Sequence, residues 1–261
     1  MKENVKMVIV VLLILIGLAV IVFVRSSNQR TRHQNPNGGE VSITAELAGS
    51  QIAVDGIIEH TTRQNNETHI ISKLDNGLHQ FSVNHFDYYP WAKDVLVKPE
   101  TKASLISFST LQNPKRTNLQ SNGDEYKKYR AQFDTLTIPS EQDKLVSKDG
   151  TVAIWAQNNA VFAEWLGDSN KTPEAFCTEG VCSSRITVVS SVYNIRSLGF
   201  LNSYSQAILF ADDQGVYAIE IDRKNIQNFQ PLVRTPIAQF IIDSERKIFV
   251  ESRGDIFELT F

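Results

Sequence analysis

The run from Met7 to Val24, MVIVVLLILIGLAVIVFV, carries no charge and no strongly polar group, and it constrains the chain more than any other stretch. As a helix it would be roughly 27 Å long at about 1.5 Å per residue, close to the ~30 Å hydrocarbon core of a bilayer. A buried core helix would show a polar stripe or caps, and neither is present. A cleaved secretory signal has a shorter apolar run, of about 7 to 15 residues, and a small-x-small cleavage site. This run instead ends in Val24-Arg25-Ser26-Ser27. The expectation is an uncleaved transmembrane helix over 7–24 behind a cytoplasmic stub of residues 1–6. Lys2 and Lys6 precede it and Arg25, Arg30 and Arg32 follow it, so flanking charge does not set the orientation and slightly favours the opposite one. Long following domains translocate regardless of such charges, and a short tail has little to carry across. The bulk of the chain is therefore expected outside the cytoplasm, at the cell membrane.

A formal net charge of −3 leaves no basic face for a phosphate backbone, so no nucleic-acid partner is expected. The two cysteines, Cys177 and Cys182, stand in F-C-T-E-G-V-C-S. Their spacer suits a cross-strand disulfide closing a hairpin around Glu179-Gly180 in an oxidising compartment, with two free thiols as the alternative. A metal site would need ligands that no nearby histidine supplies. Neither a metal nor another cofactor is implied.

Residues 25–40 are polar and end in Pro36-Asn37-Gly38-Gly39, as expected of a flexible stalk. Over 41–110 the apolar period becomes two: Val41, Ile43 and Ala45, then Ile52 and Val54 before an Asp55-Gly56 turn, then Leu78 to Val83 after Asp75-Asn76-Gly77. Trp91 to Val97 and Ala103 to Phe108 add strands of the same kind, and together they predict a small antiparallel β-sandwich. Residues 111–133 lose the alternation and read as an interdomain linker, with a helical turn or extended arm around Tyr126 to Phe133.

From 134 to 261 a strand, tight turn, strand unit recurs: 151–156 with 160–165, 206–211 with 216–221, and 247–251 with 255–259. The last two units are about forty residues apart, the period of a β-propeller blade; the first gap is longer, matching an insertion from about Gly167 to Ser183 that holds both cysteines. Three blades do not close a ring. Extra strands from Asp134 to Ser147, a second chain completing a six-bladed ring, an open wedge-shaped array, or a shortened version of a longer protein each remain open. The fold class expected is thus an all-β ectodomain, a small β-sandwich plus an incomplete β-propeller-like domain of about three blades, behind one N-terminal transmembrane helix.

Gly49, Val54-Asp55-Gly56, Leu74, Gly77, His79, Val83, Tyr88-Tyr89-Pro90-Trp91, Val95 and Val97 together resemble a PEGA domain. The four-letter string naming that family is absent, and Phe86-Asp87-Tyr88-Tyr89 stands where a glycine-tyrosine pair is common. The resemblance implies a compact β-sandwich in an envelope protein, with a structural or interaction role and no catalytic residues to transfer.

Tyr88, Tyr89 and Trp91 cluster aromatic area at a strand entry, either as packing or as a platform for a sugar or a partner surface. His60, His69, His79 and His85 share the sandwich, but their spacings match no ligand pattern and read as strand and loop positions. No G-x-S-x-G, H-E-x-x-H, phosphate-binding loop or G-x-G-x-x-G is present, and no histidine follows His85. Glu164, Glu220 and Glu258 recur at what look like equivalent strand positions, an architectural pattern more than an active site. The function expected is non-catalytic binding or scaffolding of an envelope protein or polysaccharide, with a homo-dimer as one way to complete the ring. The alternatives are a surface glycan hydrolase or lyase using those carboxylates, and a purely structural spacer.

Overall fold

Strand β1 (Gly39–Ala45) turns Val41, Ile43 and Ala45 inward and Glu40, Ser42 and Thr44 outward. That period of two fixes which face is buried, and β1 becomes the centre of a three-stranded sheet. It pairs antiparallel with β4 (Glu67–Leu74) and parallel with β7 (Lys102–Ile106). A second sheet orders β3 (Ile57–Thr61), β2 (Gln51–Val54), β5 (Gly77–Asn84) and β6 (Trp91–Val97). Asp55 and Gly56, at φ 52° and 79°, form the two-residue turn between β2 and β3. Ile43, Leu74, Ile52, Phe81 and Trp91 from both sheets share one core, which makes 39–106 sandwich-like. The computed structural model describes residue 35 and residues 37–178, 181–201 and 205–260. The expected anchor over 7–24 and most of the stalk lie outside these residues, and among the described residues no helix is long and apolar enough to cross a membrane.

One flank of the sandwich, between edge strands β3 and β4, is clasped by side chains. His60 Nε2 lies 2.6 Å from Glu67 Oε1, and His69 stacks on His60 with ring centroids 4.3 Å apart. Glu67 Oε2 also accepts the Arg63 and Gln64 N–H groups. The other flank, between β6 and β7, faces the second half of the molecule.

That half is built from three four-stranded antiparallel sheets. The first holds β9 (Leu145–Val146), β10 (Val152–Gln157), β11 (Ala160–Trp165) and β14 (Arg185–Ser190). The second holds β15 (Ser197–Phe200), β16 (Ala207–Asp212), β17 (Gly215–Glu220) and β18 (Phe229–Arg234). The third holds β19 (Gln239–Ile242), β20 (Ile248–Ser252), β21 (Asp255–Thr260) and β8 (Lys115–Asn118). The central hairpins β10–β11, β16–β17 and β20–β21 fall within one residue of the three repeats seen in the sequence.

The second sheet is covered on both faces, and every residue of β16 is buried. Ile208 and Phe210 pack with Ile154 and Val161 of the first sheet, while Leu209 and Ala211 join the core that holds Phe240 and Val250 of the third. A strand buried on both sides needs a continuous apolar run, and Ala207 to Ala211 supplies one. Strands β15 and β19 touch: a Cβ at Gly199 would lie 3.1 Å from Ile242 and 3.3 Å from Phe240. A side chain there would push those two residues back by a few tenths of an ångström. The Phe240 N–H donates to Ser197 Oγ at 2.8 Å across the same contact.

Residues 111–133, expected as a linker, hold β8 and then α1 (Asp124–Asp134). Strand β8 is the fourth strand of the third sheet, with Lys115 opposite Thr260 and Asn118 opposite Phe257. Helix α1 lays Tyr129 and Phe133 on Phe249 and Ile256, the face of the third sheet turned away from the second. The Tyr129 and Phe249 rings stack at 3.6 Å, and the Tyr129 hydroxyl donates to Asp243 at 2.9 Å. Burial and that bond hold the phenol above its ordinary pKa. The chain then crosses to the first sheet, where the Ala156 N–H donates to Pro139 O and Lys144 bonds Glu164. Arg185 lies over the Trp155 and Phe162 rings, 4.6 and 4.7 Å from their centroids. Helix α1 thus covers the outer face of the third sheet, while Lys144 and Arg185 lie over the Trp155 ring on that of the first.

The clasp makes a pH dependence. The Arg63 N–H, then His60, hold the Glu67 carboxyl well down, from 4.5 to about 2. A carboxyl depressed on folding stabilises the fold above its unfolded pKa, and that stabilisation is lost as pH falls through the folded one. The thermal midpoint is expected to drop between about pH 4.5 and about pH 2, and to drop less in Glu67→Gln. An identical acid profile in the variant would remove Glu67 from the clasp.

Candidate functional site: a cleft between the sandwich and the sheets

The inward face of β6 reads Trp91, Lys93, Val95, Val97, so one cation stands on an apolar face. The Lys93 side chain is 4% exposed and its ammonium lies 3.1 Å from Glu220 Oε2 and 3.1 Å from Asp222 Oδ2. It also donates to the Asp222 and Ile226 carbonyls at 3.1 Å each. A buried ammonium is tolerated where every N–H finds an acceptor and an opposite charge is adjacent, and the segment after β17 provides both. Burial raises the Glu220 pKa, and Lys93 and Asn228 oppose that rise.

Asn228 binds both halves. Its Oδ1 accepts the Ala92 N–H at 2.9 Å, while its Nδ2 donates to Ala92 O at 2.9 Å and to Glu220 Oε2 at 2.8 Å. Asn225 Nδ2 donates to Asp94 O at 2.9 Å. The side-chain amides thus occupy the outer edge of β6 in place of another strand. Nearby, the Thr110 hydroxyl donates to Gln230 Oε1 at 2.6 Å.

Beside this junction lies a cleft of about 560 Å³, lined by Val95, Ser104 and Ile106 of the sandwich and by Trp165, Phe176 and Gln206 of the sheets. Phe176 ends a short helical turn, Glu174–Phe176, that leads into the hairpin of β12 (Cys177–Thr178) and β13 (Val181–Cys182). Cys177 and Cys182 pair across that hairpin and form a disulfide. Two polar atoms of residues lining the cleft, the Trp91 indole N–H and Gln206 Oε1, are buried without a hydrogen-bond partner among the described residues. The lining carries Lys93, Lys98, Lys102 and Lys224 against Asp94, Glu174, Glu220 and Asp222, so its charges cancel. Lys102 pairs with Glu40 and Lys224 with Glu174. The arrangement suits an uncharged ligand rich in hydrogen-bonding groups.

The three aromatic candidates are not brought together as a platform. Trp91 is 1% exposed in the core, Tyr88 is half-buried with its ring edge-on to His85, and Tyr89 lines a separate hollow beside Arg116 and Pro231. His79 Nδ1 lies 2.7 Å from Asp55 and His85 Nδ1 bonds the Phe86 carbonyl. Burial, then His60, lowers the His69 pKa. Among the described residues no three His, Cys, Asp or Glu side chains are grouped to hold a metal ion. The three recurring glutamates are not equivalent: they stand five, six and four residues past their hairpin turns and lie in three different sheets. Glu164 is bound to Lys144 and Glu220 to Lys93. Reading the sequence did not single out Lys93 and Asn228. A lysine at an inward position of an alternating strand was the available signal for Lys93, whereas nothing local marks Asn228. Comparison with protein-family models and with curated proteins finds no match to either.

Replacing Lys93 with alanine leaves Glu220 buried without its cation, at a cost of about 3–5 kcal/mol. Urea unfolding is expected to show that loss, and the Lys93→Met/Glu220→Leu pair, which removes both charges, to recover most of it. A loss below about 1 kcal/mol in Lys93→Ala would mean that the pair does not hold the halves together.

Proposed function

We propose that this chain is a single-span, non-catalytic envelope protein whose extracytoplasmic β-domains bind or scaffold another envelope component. The reading combines the apolar run over 7–24, a PEGA-like sandwich, and a propeller-like domain in which each four-stranded sheet corresponds to one blade. Strand β8 supports the propeller-like reading, since a strand that precedes the repeats completes their last sheet. The cover of the outer faces, by α1 on the third sheet and by Lys144 and Arg185 over Trp155 on the first, favours a three-sheet array finished within one chain over a ring completed by a second copy.

The observation that carries the binding role is the cleft, walled by two β-modules that Lys93, Glu220 and Asn228 hold in fixed relation. A binding site preorganised by a rigid scaffold loses little entropy on taking up its ligand. The whole chain, in detergent, is expected to be retained by isolated envelope material without generating new reducing ends. Retention accompanied by new reducing ends would favour the glycan hydrolase, and no retention would leave a structural spacer.

A further inference from the structure

The cleft is flanked by two sheet edges that the protein treats differently. On β6 the outward groups at Ala92 and the Asp94 carbonyl are taken by Asn228 and Asn225. On β7 the pattern is set by its parallel partner. The Glu40 N–H donates to Thr101 O at 2.8 Å and the Ser107 N–H to Thr44 O at 3.0 Å, so residues 101, 103, 105 and 107 turn their backbone groups toward β1. The N–H and C=O of Lys102, Ser104 and Ile106 then point the other way, where, among the described residues, β7 has no neighbouring strand. Ala103 and Leu105 put their side chains on the core, leaving the alternate residues to the outer face. The open edge is about 16 Å long at roughly 3.3 Å per residue.

We infer that β7 is a docking edge for an extended, uncharged peptide segment of a partner protein, which adds as a fourth strand to the β4-β1-β7 sheet. An unpaired edge is a template for main-chain pairing unless it is blocked by a proline, a bulge, a charged side chain or a cover, and the one charge on β7, Lys102, is paired with Glu40. Lys102 to Ile106 contains no proline, and the β1–β7 register runs without a bulge. Charge selects the occupant: the lining charges cancel, and Lys93, Lys102 and Lys224 each have a carboxylate partner already, so a charged segment would gain little. Trp165 and Phe176 on the facing wall give apolar contact to alternate side chains of such a strand.

The inference rests on the binding reading above and can fail separately from it. A random ten-residue peptide library, selected on the whole chain in detergent, is expected to yield segments of alternating apolar and polar residues with little net charge. They should bind the unmodified chain at least tenfold more tightly than Ser104→Pro, which removes one outward N–H from the edge. They should also slow amide exchange at Lys102, Ser104 and Ile106. Retained protection of the Ala103 and Leu105 amides shows that Ser104→Pro keeps its pairing with β1. Should it not, selected peptides N-methylated at alternate residues keep their side chains and must lose the same affinity. The inference is overturned if no peptide is enriched, if binders are highly charged or indifferent to both changes, or if the chain protects those three amides by dimerising. If Ser104→Pro is retained by envelope material as well as the unmodified chain is, the β7 edge is not used while the binding role stands. If neither is retained, the binding role itself falls.

Discussion

One buried positive charge fixes how the two halves of this molecule meet. Taking an ammonium out of water costs several kcal/mol, and only a geometry that returns its hydrogen bonds and an opposite charge offsets that cost. Lys93 comes from the sandwich, whereas Glu220, Asp222 and the Ile226 carbonyl come from the second sheet and the segment after it. Sliding or tilting one half would strand charges on both sides. The pair therefore contributes a unique docking position more than raw stability, and Asn228, bonded to both the Ala92 backbone and Glu220, makes the same demand with a neutral group.

The remaining architecture follows from which surfaces are closed and how. The His60–Glu67–His69 clasp closes one flank of the sandwich, and the junction partly closes the other. The second sheet is hidden between its neighbours, so its strands are apolar on both faces. The outer sheets each have one face left over, which α1 covers on the third and Lys144 and Arg185 cap over Trp155 on the first. Among the described residues the edge of β7 that borders the cleft pairs with no strand, and an open edge beside a fixed wall is where main-chain recognition has its best geometry.

Elements with a strong local period were legible in the sequence. The central hairpins of the three sheets and most sandwich strands show apolar patterning next to Asp-Gly, Asn-Asn, Asp-Gln or Arg-Gly turns, and the turn residues 158, 159, 253 and 254 have positive φ. Strand β8 was not legible, because KRTN is exposed at every residue and its strand character comes only from pairing with residues 257–260, far away in the chain. Strand β4 was missed because its first buried residue is Ile71, halfway along. The junction was hidden for a related reason: Glu220 looked like one of three recurring glutamates, and only the spatial approach of β6 shows that it is the buried partner of a lysine. Long-range pairing leaves no mark on local periodicity.

Scanning calorimetry of the whole chain tests most directly whether the sandwich and the three sheets form one body held at Lys93. A single transition is expected, with calorimetric and van't Hoff enthalpies in agreement, splitting into two in Lys93→Ala. Two separate transitions in the unmodified chain, or one transition left intact by the substitution, would contradict it.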